Sequence, residues 1–159
     1  MKILVVSDTH GDIATLGEVL EKHQSEVELV IHLGDFAHDL TENFSLPIPS
    51  HAIPGNMDGV KRQASDLELV ITVADRNILL THSDHLDTHF GFARLSARAR
   101  ELGVEICLFG HTHRYLFDDS SHPVFFNPGS LGRAAMWSSR TYGILELTPQ
   151  GFYANRFSI

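Results

Sequence analysis

The chain has 159 residues, 43% of them hydrophobic, and a formal net charge of -8. That length suits one domain, spanning residues 1–159, that buries roughly 70% of the surface its unfolded form exposes. The acidic balance excludes the broad cationic face that an extended nucleic acid or an anionic membrane surface requires. No apolar run approaches a membrane span and no cleavage signal precedes the first strand, and the lone Cys107 can form no intrachain disulfide. A cytoplasmic setting is therefore expected.

In chain order, Lys2 to Ser7 reads as a buried strand, and Asp12 can cap a helix whose apolar residues Ile13, Leu16 and Leu20 recur at helical spacing. Glu28 to Leu33 is a second buried strand. From Phe36 to Ser50 the pattern weakens, with Pro47 and Pro49 breaking it, before His51 to Pro54 leads to Gly55-Asn56. Leu67 to Thr81 predicts a hairpin turning at residues 74–77. Thr88 to Leu102 carries Phe92, Leu95, Ala99 and Leu102 on one face and stops before Gly103, which predicts a helix. Val104 to Phe109 is a strand with the Cys107 thiol buried in it. Shorter strands follow at Arg114–Phe117 and Val124–Phe126, and a closing hairpin runs from Thr141 to Phe157, turning at residues 148–151. No linker or internal repeat appears. The expected architecture is a two-sheet α/β fold with helices on the outside.

Polar groups punctuate the ends of these strands. Asp8 and His10 form D-x-H, Asp35 follows Gly34, Asn56 follows Gly55, His82 ends a strand, and His111 and His113 form G-H-T-H. Open α/β sheets place their sites at such strand ends. Two carboxylates, one amide and four imidazoles are enough to hold two divalent cations. Residues i and i+2 of an extended segment point the same way, with bases roughly 6 to 7 Å apart. His111 and His113 could thus reach different ions of a pair lying roughly 3.5 to 4 Å apart. Asp35 is the natural bridge between them, and Asn56 is a neutral oxygen donor that keeps the site net positive. The glycines before Asp35, Asn56 and His111 let backbone approach closely or turn sharply. Mixed imidazole and carboxylate donors suit manganese, with nickel, iron and zinc as alternatives, better than calcium.

Such a pair of ions turns water into a nucleophile near neutral pH and neutralises phosphate oxygens, so in-line attack on phosphorus by a metal-bridging hydroxide is the expected chemistry. No G-x-S-x-G elbow, Walker-type loop, G-x-G-x-x-G or H-E-x-x-H is present. Asp35, Asn56 and His82 are the candidate catalytic residues.

The ordered set Asp8-x-His10, Gly34-Asp35, Gly55-Asn56, His82 and Gly110-His111-Thr112-His113 resembles the signature of the calcineurin-like metallophosphoesterases, in particular their compact single-domain bacterial and archaeal phosphodiesterases. Asn127-Pro128-Gly129-Ser130 is similar to a late turn of that branch. The resemblance implies a two-sheet β-sandwich flanked by helices, in four layers α/β/β/α, with the metals at one end. It also implies one ion on Asp8, His10, Asp35 and His113 and another on Asp35, Asn56, His82 and His111. The substrate would be a small phosphodiester, and a homo-oligomer is compatible with it. A protein-binding scaffold that does no chemistry and a phosphomonoesterase are the alternatives, though all seven donor positions are kept.

Two departures matter. Many relatives carry His after G-N, where it can protonate the leaving oxygen; here Met57 stands, followed by Asp58, and a thioether has no proton to give. After His82, the sequence Ser83-Asp84-His85 replaces H-G-H, so the loop is expected to be one residue longer, with His85 a substrate-side candidate. Singly, each donor reads as a helix cap, turn residue or surface imidazole. Jointly, bare charges at the ends of buried strands would be costly without a role. His23, His32, His38, His51, His85, His89 and His122 read as structural or exposed, with His38 close enough to Asp35 to line the pocket. Asp118-Asp119 reads as a solvated turn, Arg133 as a surface residue able to grip phosphate, and Trp137 as a subunit contact or an exposed indole.

Overall fold

A computed structural model of the chain describes residues 1–132 and 139–159; Arg133 and Trp137 lie outside the described residues. Among the described residues, ten strands and three α-helices follow the order β1 (Lys2–Val6), α1 (Ile13–His23), β2 (Leu29–His32), α2 (His38–Asn43), β3 (Ser50–Ala52), β4 (Glu68–Val73), β5 (Arg76–Thr81), α3 (Ala93–Glu101), β6 (Ile106–Phe109), β7 (Tyr115–Asp118), β8 (Val124–Pro128), β9 (Thr141–Thr148) and β10 (Gly151–Ser158).

Two mixed sheets result, ordered β10-β9-β1-β2-β3 and β4-β5-β6-β8-β7. Within the first, β1, β2 and β3 run parallel, β9 pairs antiparallel with β1, and β10 pairs antiparallel with β9. In the second, β5, β6 and β8 run parallel, flanked by antiparallel β4 and β7. Parallel neighbours carry their C-terminal ends to the same edge, so Asp8, Asp35 and Asn56 leave one sheet where His82 and His111 leave the other.

Strand alternation divides the apolar residues among three layers of packing. Ile3, Val5, Leu29 and Ile31 of one sheet meet Ile78, Leu80, Ile106, Leu108 and Phe126 of the other in the central seam. Leu4, Val6 and Val30 face outward against Leu16, Val19 and Leu20 of α1 and Leu40 of α2. Leu79, Cys107 and Phe109 face outward against Leu95 and Ala99 of α3. This is the expected sandwich with helices on both outer faces.

Three elements differ from the sequence reading. The predicted helix at 88–102 begins only at Ala93, because Asp87 and Gly91 adopt positive φ of 55° and 130° on either side of a short 3-10 turn at Thr88–Phe90. The hairpin turn narrows to Ala74-Asp75, both at positive φ, which matches the twist of the flanking strands. Helix α2 fills part of the region where periodicity is weak; it lasts six residues, and Leu40 is its one buried apolar side chain.

The central seam makes a testable demand. Leu108→Ala should cost about 2 to 5 kcal/mol in urea unfolding, the usual range for a buried leucine truncation. Val70→Ala, on the exposed side of β4, should stay within roughly 0.5 kcal/mol of the parent.

Candidate metal centre

The shared edge of the two sheets collects the donor groups. One carboxylate or imidazole atom from each of Asp8, His10, Asp35 and His113 lies within 4.8 Å of the other three. Asp8 is fully buried; its Oδ1 is 3.1 Å from His113 Nε2, and its Oδ2 accepts the His111 backbone N–H at 3.3 Å. His10 Nε2 stands 3.4 Å from His113 Nε2 and 3.9 Å from Asp35 Oδ2. The other oxygen of Asp35, Oδ1, lies 3.2 Å from His82 Nε2 and accepts the Met57 N–H at 2.8 Å. The two oxygens of one buried carboxylate therefore face two different imidazoles.

His82 is fixed by its other nitrogen. Its Nδ1 sits 2.7 Å from the Leu33 carbonyl, which can only accept, so Nδ1 carries the proton and Nε2 is left as a lone-pair donor aimed at Asp35. The His111 ring lies 5.1 Å from that of His82. Asn56 is exposed, between Gly55, which packs on Asp35, and Met57, which hydrogen-bonds it. Those seven residues thus occupy one end of the molecule.

Backbone geometry, more than extended spacing, makes this possible. The reading of D-x-H and H-x-H as extended segments needs correction, since Asp8, His10, Asp35, His111 and His113 all take left-handed φ between 48° and 69°. Side chains with a Cβ pay for that conformation, and such strain persists where surrounding structure enforces it, commonly at functional sites. Here the chain curls as it leaves each strand and turns the donors inward. At Gly34, with φ of +95°, a Cβ would lie 2.7 Å from both the Gly55 nitrogen and His82 Nδ1. A Cβ on Gly55 would strike Asp35 itself. The loops after β2 and β3 press together only because neither glycine has a side chain.

Electrostatics at this edge favour positive charge. Burial opposes ionisation of Asp35, yet His82, the Met57 N–H and His10 outweigh it and hold the carboxyl at about 2. Asp8 raises the affinity of His113 for a proton. Burial works against a charged His82, but Asp35 and Asp8 outweigh it and raise its pKa. Burial and the neighbouring His82 and His89 lower that of His111. Asp8 Oδ1 and His82 Nε2 are buried with no hydrogen bond among the described residues, despite near neighbours at 3.1 and 3.2 Å. Buried polar atoms are rarely left so. Oxygen and nitrogen donors with lone pairs converging on one spot fit a divalent cation.

Residues 1–150 match the family model described as the calcineurin-like phosphoesterase superfamily domain. The chain belongs to that superfamily. It is 32% identical over 149 residues to the probable metallophosphoesterase YsnB of Bacillus subtilis (strain 168), covering 92% of this chain and 85% of the relative. To the phosphodiesterase YfcE of Escherichia coli (strain K12) it is 28% identical over 165 residues, covering 92% and 88%. A crystal structure from Streptococcus pneumoniae TIGR4, described as a predicted phosphoesterase, superimposes with a TM-score of 0.82 at 28% identity, covering 99% of this chain and 88% of that one.

This calcineurin-like phosphoesterase supports its donors with residues that motif reading passes over. Asp58 Oδ1 and Oδ2 accept the backbone N–H groups of Ala37 and Gly55, each at 2.6 Å, and so clamp the two loops together. His32 accepts the Gly34 N–H on Nδ1 at 3.2 Å, which places its proton on Nε2, 3.0 Å from Thr9 Oγ. Thr9 in turn donates to Asp39 Oδ2 at 2.7 Å, and the Gly11 N–H donates to the same oxygen at 2.9 Å. Ser130 Oγ donates to the Asp8 carbonyl at 3.0 Å, and Asn127 Nδ2 to the Gly110 carbonyl at 2.8 Å, which gives the N-P-G-S turn its purpose. The four-residue step from Asp35 to Asp39 is the available signal for Asp39; the resemblance flags Asn127 and Ser130.

The remaining candidates sort themselves. His38 is half-exposed at the rim, with Nδ1 3.5 Å from Asp58 Oδ1. His85 is paired with Glu68: at a 3-10 turn over Asp84–Leu86 its Nε2 lies 3.2 Å from Glu68 Oε1. Further along the same loop, His89 lies over His111, ring centroids 4.3 Å apart. Asp84 holds Arg62 through two hydrogen bonds of 2.8 and 2.6 Å.

His32 gives the site an acid limit. Burial outweighs the pull of Asp8, Asp58 and Asp39 and depresses its pKa to about 4, below an unfolded value near 6.5. The folded form therefore refuses a proton that the unfolded chain accepts. Its full stability is present above pH 6.5 and falls as pH drops towards 4, by about 3 kcal/mol in total. Urea unfolding of metal-free protein across this range should show that loss, and His32→Asn should flatten it; an identical slope in the variant would contradict the assignment.

Proposed function

We propose that this phosphoesterase is a binuclear metal-dependent phosphodiesterase acting on a small phosphodiester. The observation that carries the reading is the division of Asp35, whose Oδ1 faces His82 at 3.2 Å while Oδ2 faces His10 at 3.9 Å. Asp8, His10, Asp35 and His113 would hold one ion, and Asp35, Asn56, His82 and His111 the other, with manganese favoured over nickel, iron and zinc. Bound there, two divalent cations lend acidity to water and positive charge against phosphate oxygens.

The chain's own residues explain the rest of the proposed in-line displacement. Leu33 holds His82 in the tautomer that offers Nε2, and the His111 N–H orients Asp8. The Met57 N–H, bonded to Asp35 Oδ1, ties the loop carrying Asn56 to the carboxylate that the two ions would share. Met57 is 54% exposed and has no proton to donate, so the departing oxygen leaves without help from that position. Loss of a general acid costs roughly 10²- to 10⁴-fold on poor leaving groups. Diesters with stable leaving oxygens are the preferred substrates, and alkyl monoesters the poorest.

Among the described residues no helix is long and apolar enough to cross a membrane, and the buried thiol of Cys107, its pKa pushed up by burial, fits a reducing cytoplasmic setting. The net charge of -8 argues against extended nucleic acid. A scaffold without catalysis would have no use for seven donor residues gathered at one end of the fold, five of them at left-handed backbone positions.

Stripped protein reloaded separately with manganese, nickel, zinc and magnesium should hydrolyse bis-p-nitrophenyl phosphate, fastest with manganese or nickel, and ethyl phosphate at least about 100-fold more slowly. Asn56→Ala and His111→Ala should each lower kcat by roughly 10²- to 10³-fold with thermal unfolding of the metal-free protein unchanged. Absence of metal-stimulated turnover on every ester would leave the scaffold reading in its place.

A further inference from the structure

Beside the donor cluster, His89, Phe92, Thr112, Arg114, Tyr115 and Leu116 line a cleft of about 370 Å³, within the size range of small-ligand pockets. It adjoins the cluster directly, because Thr112 separates His111 from His113 and the His89 ring lies 4.3 Å from that of His111. The walls are aromatic. Phe92 meets Phe109 edge-on at 5.3 Å yet remains 41% exposed. Tyr115 is braced by Phe126 at 5.7 Å and by the Arg156 guanidinium 5.4 Å from its ring centre.

The same cleft carries uncommitted polar groups. Thr112 Oγ accepts from Asn127 Nδ2 at 3.2 Å, so its own proton is available to a ligand. Arg114 is exposed and has no hydrogen bond or ion pair among the described residues. In a chain of net charge -8, a guanidinium with no partner among the described residues, lining an aromatic cleft beside the donor cluster, leaves all its hydrogen-bond donors open to a ligand. Plain alkyl groups would use none of these donors, whereas a flat ring bearing nitrogen and oxygen uses both the faces and the donors.

Resting on the phosphodiesterase reading above, we propose that this cleft binds the base of a nucleoside phosphodiester whose phosphorus sits at the donor cluster. The base stacks against Phe92, Thr112 donates to a ring heteroatom, and Arg114 covers the ligand's outer edge. Stacking on an aromatic side chain strengthens binding by roughly 5- to 150-fold per base.

Two readouts test this. The first compares p-nitrophenyl thymidine 5′-phosphate with methyl p-nitrophenyl phosphate, which share a leaving group and differ in the nucleoside. The parent protein should favour the nucleoside ester through a KM at least tenfold lower, and Phe92→Leu and Arg114→Met should each cut that preference by about tenfold; Phe92→Leu keeps an apolar contact for Phe109. A preference unchanged in both variants overturns the proposal. The second is saturation-transfer NMR with thymidine 5′-monophosphate on the magnesium-loaded protein. Saturation should reach the base protons in the parent and fall in Phe92→Leu. Should neither ester turn over, the phosphodiesterase reading fails, and the NMR alone decides the cleft: transfer to the base supports it and no transfer refutes it.

Discussion

Two carboxylates sunk at the end of an apolar sandwich set the terms for everything around them. Asp8 and Asp35 are almost wholly inaccessible to water, and a buried anion is tolerated only when positive charge or donated hydrogen bonds meet it. Backbone N–H groups of His111 and Met57 supply part of that. The rest falls to imidazoles whose proton affinities are pulled in opposite directions, upward for His82 and His113 and downward for His111. A proton shared over such a cluster is a poor substitute for divalent cations, which can satisfy all the lone pairs together.

The fold serves this constraint by bringing parallel strands from two sheets to one edge. The central seam of aliphatic residues fixes how far apart the sheets stand, and so how far His82 and His111 lie from Asp8 and Asp35. Left-handed backbone at five of the donors costs stability. That cost is borne by a framework of buried strands and by the hydrogen bonds of Asp39, Asp58, Asn127 and Ser130, which hold each loop in its curled path. Rigidity here comes from residues outside the donor set.

Much of this was legible in the sequence because apolar runs and the polar groups that end them are local patterns. The strands, the capping Asp12 and the polar groups that follow the strands all read directly. What did not read has a common cause: it depends on contacts distant in sequence. Helix α2 is too short to show a period. Asp58 looks like any turn carboxylate until Ala37 and Gly55 are brought beside it, and His89, exposed as its sequence suggests, gives no sign that its ring lies against that of His111. The left-handed φ values leave no trace at Asp and His, where a glycine would have announced them. The early break before α3 is hidden because Phe92 keeps helical spacing with Leu95 and Ala99 while sitting outside the helix.

Anomalous diffraction from crystals grown with manganese would test the central claim most directly. The account predicts two peaks bridged by Asp35, one beside His10 and His113 and the other beside His82, His111 and Asn56. A single peak, or none within reach of Asp35, would contradict it.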